Sequence, residues 1–369
     1  MLYNHIRASR AALVAVSTVL LAACGGGGGG GGGSSNTAKS CSEQFNPDAA
    51  ATTPEQCQPV YNEQCDSLGA RSPYNASEPA ACTVNGADGG VSAETVTVGG
   101  VEYVLLKPAS GGKSGLYVGL HWRGGNGPTM SNNMRMPELA KARDLTVAVP
   151  TSPNYIFSAI EGVGYLHDWD YSGAPAVIAQ VIADAKARNG LGNVPVVLAG
   201  VSSGVAAATR FYCEQGSQID GLLLVASGSI SAAESTACLS DASAAASKAA
   251  SSMAVAVIQG TRDPAYEDAK LNYGHFELIN GCDGSKTVAL NEQVDIEYSR
   301  NCGSGHGTAL VSVKDSGHNW PGMDRPIPEN PVTDNIPAGS SSGAMSIFGR
   351  VSFSFDATLQ GYDLVRNLD

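Results

Sequence analysis

Seven short apolar runs recur between residues 101 and 315: VEYVLLKP, LYVGLHW, LTVAVPT, VPVVLAG, GLLLVAS, MAVAVIQG and TALVSVKD. Their apolar residues are mostly consecutive rather than alternating, the pattern of strands buried on both faces in a mostly parallel sheet covered by helices. Between LTVAVPT and VPVVLAG lies SGAPAVIAQVIADAKARNG, where Val177, Ile178, Val181, Ile182 and Ala185 repeat at helical spacing and Gly190 supplies a C-terminal stop. The alternation predicts an α/β domain over residues 93–369, long enough for one sizeable core. Residues 41–92, rich in Pro, Asn, Ser and Cys, show no period and are expected to form a disulfide-stapled extension. The stretch LSDASAAASKAASS is of low complexity and is read as a surface helix or loop without chemistry.

The N-terminus departs from this pattern. MLYNHIRASR carries Arg7 and Arg10 and no acid, and an apolar run of 13 residues follows, AALVAVSTVLLAA. Residues 1–23 thus read as a signal peptide, too short to span a bilayer comfortably. The run ends in LAAC, which resembles the lipobox of bacterial lipoproteins and implies that Cys24 is lipidated after cleavage. Residues 24–40 are Gly-rich, cannot bury a core and should act as a flexible tether. Gly25 rather than Asp after the cysteine resembles an outer-membrane sorting signal. The expectation is an exported bacterial lipoprotein at the outer membrane or cell surface, held by its lipid and otherwise monomeric.

Removal of residues 1–23 leaves 20 basic against 34 acidic side chains. That balance argues against nucleic acid and polyanionic substrates. Eight cysteines remain after Cys24, an even number in an exported chain, which predicts up to four disulfides. They segregate: Cys41, Cys57, Cys65 and Cys82 precede residue 90, and Cys213, Cys238, Cys282 and Cys302 follow residue 210. No C-x-x-C spacing appears, so no metal is expected.

In open α/β sheets chemistry collects at the carboxyl ends of the strands, which sorts the candidate side chains. Ser202, in GVSSG, follows VPVVLAG and fits G-x-S-x-G, where small neighbours let the backbone hold a serine hydroxyl exposed on a sharp turn. Asp263 lies just beyond MAVAVIQG, whereas Asp220 precedes GLLLVAS and faces the wrong edge. His318 leaves TALVSVKD while His306 enters it, so His318 is the one placed to reach the serine. A serine hydroxyl needs a base within hydrogen-bond reach, and the imidazole needs a carboxylate to fix its tautomer and stabilise its cation. An oxyanion hole would come from the backbone N–H of Ser203 and one from LHWRGGNG, Arg123 first and Trp122 second. No cofactor is called for. His121 is read as a structural residue of that loop, and His167 and His275 as surface or core histidines. MSNNMRM is read as a helix face against the core, and Trp320 fits either an acyl-pocket wall or packing of its turn.

These motifs, in this order, resemble the secreted polyhydroxybutyrate depolymerase and feruloyl esterase group of α/β-hydrolases. LHWRGG is similar to the group's LHGCGG-like oxyanion loop, GVSSG to its elbow, IQGTRDP to its HGTxDP acid loop and SGHNWPG to its GGHxWPG histidine loop. The resemblance covers residues 100–320 and implies an α/β-hydrolase fold and disulfides pairing Cys213 with Cys238 and Cys282 with Cys302. It also implies a serine esterase acting on short-chain hydroxyalkanoate esters or oligomers, with feruloyl or acetylxylan esters as the alternative. The group's Gly-Cys is replaced by Trp122-Arg123, two bulky side chains expected to narrow the cleft. Depolymerases of solid polyester resemble this domain plus a separate binding module; none follows the terminal DATLQGYDLVRNL, so soluble oligomers are expected. A surface lipoprotein that binds without cleaving, or a peptidase of the same fold, is less favoured.

Overall fold

A computed structural model describes residues 90–157, 165–227, 252–314, 316–323, 352 and 354–369. The expected signal peptide, the tether and residues 41–89 of the extension lie outside the described residues, and with them Cys24, Cys41, Cys57, Cys65 and Cys82; so does Cys238.

The apolar runs form the middle of a ten-stranded sheet. In chain order its strands are β1 (Val91–Val98), β2 (Val101–Pro108), β3 (Gly115–Leu120), β4 (Leu145–Pro150), β7 (Val196–Val201), β8 (Gly221–Val225), β9 (Ala254–Gly260), β10 (Lys286–Asn291), β11 (Val294–Ser299) and β12 (Thr308–Val313). They lie in the order β1-β2-β4-β3-β7-β8-β9-β12-β11-β10. From β4 to β12 the neighbours pair parallel, while β1 and β2 on one edge and β11 and β10 on the other pair antiparallel. Every residue of β3, β4, β7, β8 and β9 is buried, as expected for strands covered on both faces. A separate antiparallel ribbon joins β5 (Tyr155–Phe157) to β6 (Tyr165–His167).

Two apolar layers enclose the sheet. On one face lie α1 (Gly127–Asn133), α2 (Met136–Arg143) and α6 (Leu359–Asn367), with Met130, Met136, Leu139, Leu364 and Val365 in a single core. On the other lie α3 (Ala174–Asn189), α4 (Ser203–Gln215) and α5 (Tyr266–Asn280), contributing Ile178, Val181, Val205, Phe211 and Phe276. The stripe anticipated on α3 faces inward, and Gly190 ends that helix with a φ of 56° that favours glycine. Arg143 and Asp363, both buried, clamp α2 to α6 by two hydrogen bonds of 2.7 Å. This strand order, with helices on both faces, is an α/β-hydrolase fold. Its first strand begins at Val91, so the sheet starts two residues before the boundary drawn from composition.

Cys282 and Cys302 form a disulfide across 20 residues of chain, joining the end of α5 to the stretch before β12. Cys213 is disulfide-bonded too, to a partner outside the described residues. In the chain-entropy model a loop of this length contributes about 3 kcal/mol. Replacing both Cys282 and Cys302 by serine should therefore lower the urea midpoint by the equivalent of that energy; an unchanged midpoint would show that the bridge restrains nothing in the unfolded chain.

Candidate active site

Ser202 sits between β7 and α4 with φ 54° and ψ −117°, a conformation that costs a non-glycine residue about 1–3 kcal/mol. Its surroundings enforce that backbone. The Ser202 N–H donates to Val225 O at 3.1 Å, and the Ser202 carbonyl accepts from Val205 N–H at 2.9 Å. The flanking glycines have separate tasks. A Cβ on Gly200 would collide with the carbonyl of Gly204, so the turn closes only without one. A Cβ on Gly204 would collide with Leu120 O and lie 2.8 Å from His121 O, which places the first turn of α4 against the loop leaving β3.

His318 and Asp263 meet the serine from the ends of β12 and β9. Gly260 permits this approach, because a Cβ there would strike the carbonyls of Ser316 and Gly317 in the loop that carries His318. His318 Nε2 lies 2.8 Å from Ser202 Oγ, and its Nδ1 lies 2.7 Å from Asp263 Oδ2. His318 and Asp263 are buried, whereas Ser202 remains partly open. With a carboxylate fixing Nδ1 as the donor, Nε2 is left as the acceptor for the serine proton, and such an arrangement can activate a hydroxyl for attack on a carbonyl. The three residues singled out in the sequence are thus one hydrogen-bonded chain. Asp220 instead accepts from Val196 N–H at 2.8 Å, at the start of the strands, and His306 lies beside Asp369.

The loop after β3 is braced from the side. Ser152 N–H donates to His121 Nε2 at 3.0 Å, so the proton of the His121 ring is on Nδ1, which donates to Trp122 O at 2.6 Å. Trp169 Nε1 donates to His121 O at 2.8 Å, and Gly124 N–H to His167 O at 2.7 Å. His121 is therefore a scaffold residue, and His167, buried, accepts that bond and pairs through Nδ1 with Ser152 O at 2.8 Å. Gly124 and Gly125 direct their N–H groups at backbone carbonyls, whereas the Arg123 N–H makes no backbone bond among the described residues. Ser203 is the first residue of α4, where an N–H has no intrahelical partner. These are the two donors anticipated for an oxyanion hole.

The side chains of Trp122 and Arg123 are placed differently from each other. Trp122 is buried and packs in the core, as transfer of so large an apolar ring from water favours. Arg123 remains 58% exposed, its Nε donating at 2.7 Å to the buried carboxylate of Asp168. Burial works against the Arg123 charge, but Asp168 and the Tyr171 hydroxyl more than offset it and hold the guanidinium protonated. Met130, Met134 and Met136 pack in the core, and so does Trp320, whose Nε1 donates to Thr358 Oγ1 at 3.0 Å. The sequence reading missed Ser152, Asp168 and Trp169 as supports, and Gln259, whose amide touches Asp263. Among the described residues, no group of three His, Cys, Asp or Glu is placed to hold a metal ion, and no helix is long and apolar enough to cross a membrane.

No family model matches the sequence, and no curated protein matches it significantly. Similar solved structures include an acetyl xylan esterase from Aspergillus awamori, 18% identical, with a TM-score of 0.48 over 62% of this chain and 94% of that one. Esterase PE8 is 16% identical with a TM-score of 0.40, covering 58% of this chain and 90% of its own. A carboxylesterase from Mesorhizobium loti is 14% identical with a TM-score of 0.36, covering 47% and 78%. Likeness at this level carries no statement about substrate.

Proposed function

We propose that the protein is a serine ester hydrolase that works through an acyl-enzyme. The observation that carries this reading is the unbroken chain from Ser202 Oγ through His318 to Asp263, with the serine held at φ 54°. His318 would take the Ser202 proton as Oγ attacks the ester carbonyl, and return it to the leaving alcohol as the tetrahedral intermediate collapses. Water, activated by the same imidazole, would then release the acid. The Arg123 and Ser203 N–H groups would bind the oxyanion.

For substrate, we propose short hydroxyalkanoate oligomers or comparable small esters ending in a carboxylate. Support comes from Arg123: Asp168 occupies its Nε and the Tyr171 hydroxyl also bonds the group, yet over half of the side chain stays open in the proposed oxyanion loop. An exposed guanidinium offers paired donors to an anion. The test is a panel run on the full chain with a Ser202→Ala control: hydroxybutyrate trimer, its methyl ester, amorphous polyhydroxybutyrate, methyl ferulate and acetylated xylan. The free trimer is expected to be preferred over its methyl ester by about 10-fold in kcat/KM, the contribution of one charge-assisted hydrogen bond. Equal rates for the two, or clearing of polymer without preference for trimer, would count against the oligomer reading. Faster turnover of ferulate or acetylated xylan would move the assignment to carbohydrate esters.

A further inference from the structure

We infer that Gln259 is a positioning residue that ties the acid of the Ser202–His318–Asp263 chain to the same turn that holds the serine backbone. Gln259 is fully buried near the end of β9. Its Nε2 donates to Asp263 Oδ2, and its Oε1 accepts from Ser227 N–H at 2.9 Å and from Ser227 Oγ at 3.3 Å. The orientation of the amide is determined by these partners. A backbone N–H can only donate, so the amide oxygen must face Ser227 and the NH2 must face the carboxylate.

Asp263 is thereby gripped on both sides. Oδ1 accepts from Ala265 N–H at 2.9 Å, and Oδ2 is shared by Gln259 and His318 Nδ1. The oxygen that orients the imidazole is the one Gln259 holds in place. Ser227 in turn belongs to Val225–Ala226–Ser227, the stretch that leaves β8. Val225 O accepts the Ser202 N–H, and Ala226, at φ 49°, donates its N–H to Ile258 O at 3.0 Å. A non-glycine residue in that conformation persists only where its neighbours over-determine it. One strained turn thus fixes the serine backbone directly and the aspartate through a single amide, so the two ends of the chain keep their spacing without a direct contact.

The inference rests on the catalytic reading of Ser202, so its test joins turnover with a measurement that needs no substrate. Gln259→Met keeps the volume and removes the donor, whereas Gln259→His restores an N–H and an acceptor. In the full chain, with p-nitrophenyl butyrate, Gln259→Met is expected to lower kcat about 10- to 100-fold with KM within about twofold, and Gln259→His to recover most of kcat. The low-field proton signal of the His318 Nδ1–H should disappear in Gln259→Met through faster exchange and return in Gln259→His. A full kcat in folded Gln259→Met, an unaltered proton signal, a loss that folded Gln259→His does not restore, or failure of both variants to fold would each overturn the inference and leave Gln259 as core packing. If the unaltered protein hydrolyses no ester, the esterase reading fails by itself, and the proton signal still decides the role of Gln259.

Discussion

Replacing Ser202 by alanine is expected to lower kcat on any soluble ester by a factor on the order of 10⁴ to 10⁶, leaving the fold intact. The size follows from what remains. Without Oγ there is no acyl-enzyme, and His318 keeps its bond to Asp263 but has no hydroxyl to deprotonate. Only the oxyanion donors and substrate binding would still act, on water that nothing positions. Stability should change little, because alanine at φ 54° carries the same backbone cost as serine and the turn is closed by Gly200, Gly204 and the Val225 carbonyl. The measurement is a burst and steady-state assay beside thermal unfolding of the same preparation. Retention of most activity at unchanged stability would remove Ser202 from the chemistry.

That prediction could be framed from the sequence because the central sheet is written in continuous apolar runs. β3, β4, β7, β8 and β9 are buried on both faces, so their residues carry no alternation to confuse the reading, and each candidate side chain could be assigned to one end of a run. The edges were not legible in this way. In β11, the first four residues of VDIEYS alternate between buried and half-buried positions, and in β10 half of KTVALN is exposed, so neither forms an apolar run. β1 hides behind polar residues for the same reason, with four consecutive exposed positions in VSAETVTV. At the site, Ser202, Asp263 and His318 were visible because each follows a strand. Gln259 was not, because AVAVIQG reads as core and the partner that fixes its amide, Ser227, lies in the turn after another strand, 32 residues away. The braces from Ser152 and Trp169 have the same character: each is a single hydrogen bond between distant loops, and no local pattern encodes such a pairing. The different burial of Trp122 and Arg123 was not legible either, because adjacent loop residues need not share a side; Trp122 packs in the core and Arg123 stays open.

Asp263→Asn carries the second large effect, an expected loss in kcat of about 10⁴-fold. The substitution preserves shape but cannot satisfy the hydrogen bonds that meet there. With the Asn oxygen in the place of Oδ2, its NH2 would point at Ala265 N–H, donor against donor. With the amide reversed, the NH2 would face Gln259 Nε2 and His318 Nδ1. In the second orientation the clash with the imidazole, though not that with Gln259, is relieved if the imidazole changes tautomer, Nδ1 becoming the acceptor and Nε2 carrying the proton. His318 would then present an N–H to Ser202 Oγ, only 2.8 Å away, and could no longer accept its proton. The loss should therefore fall on acylation and kcat while KM for a neutral ester stays near its original value. A Ser202-directed phosphonate should label the variant slower by a similar factor, since that reaction needs the same proton transfer. Rapid labelling, or a kcat within about tenfold of the original, would mean that Asp263 serves the turn at Ala265 and not the imidazole.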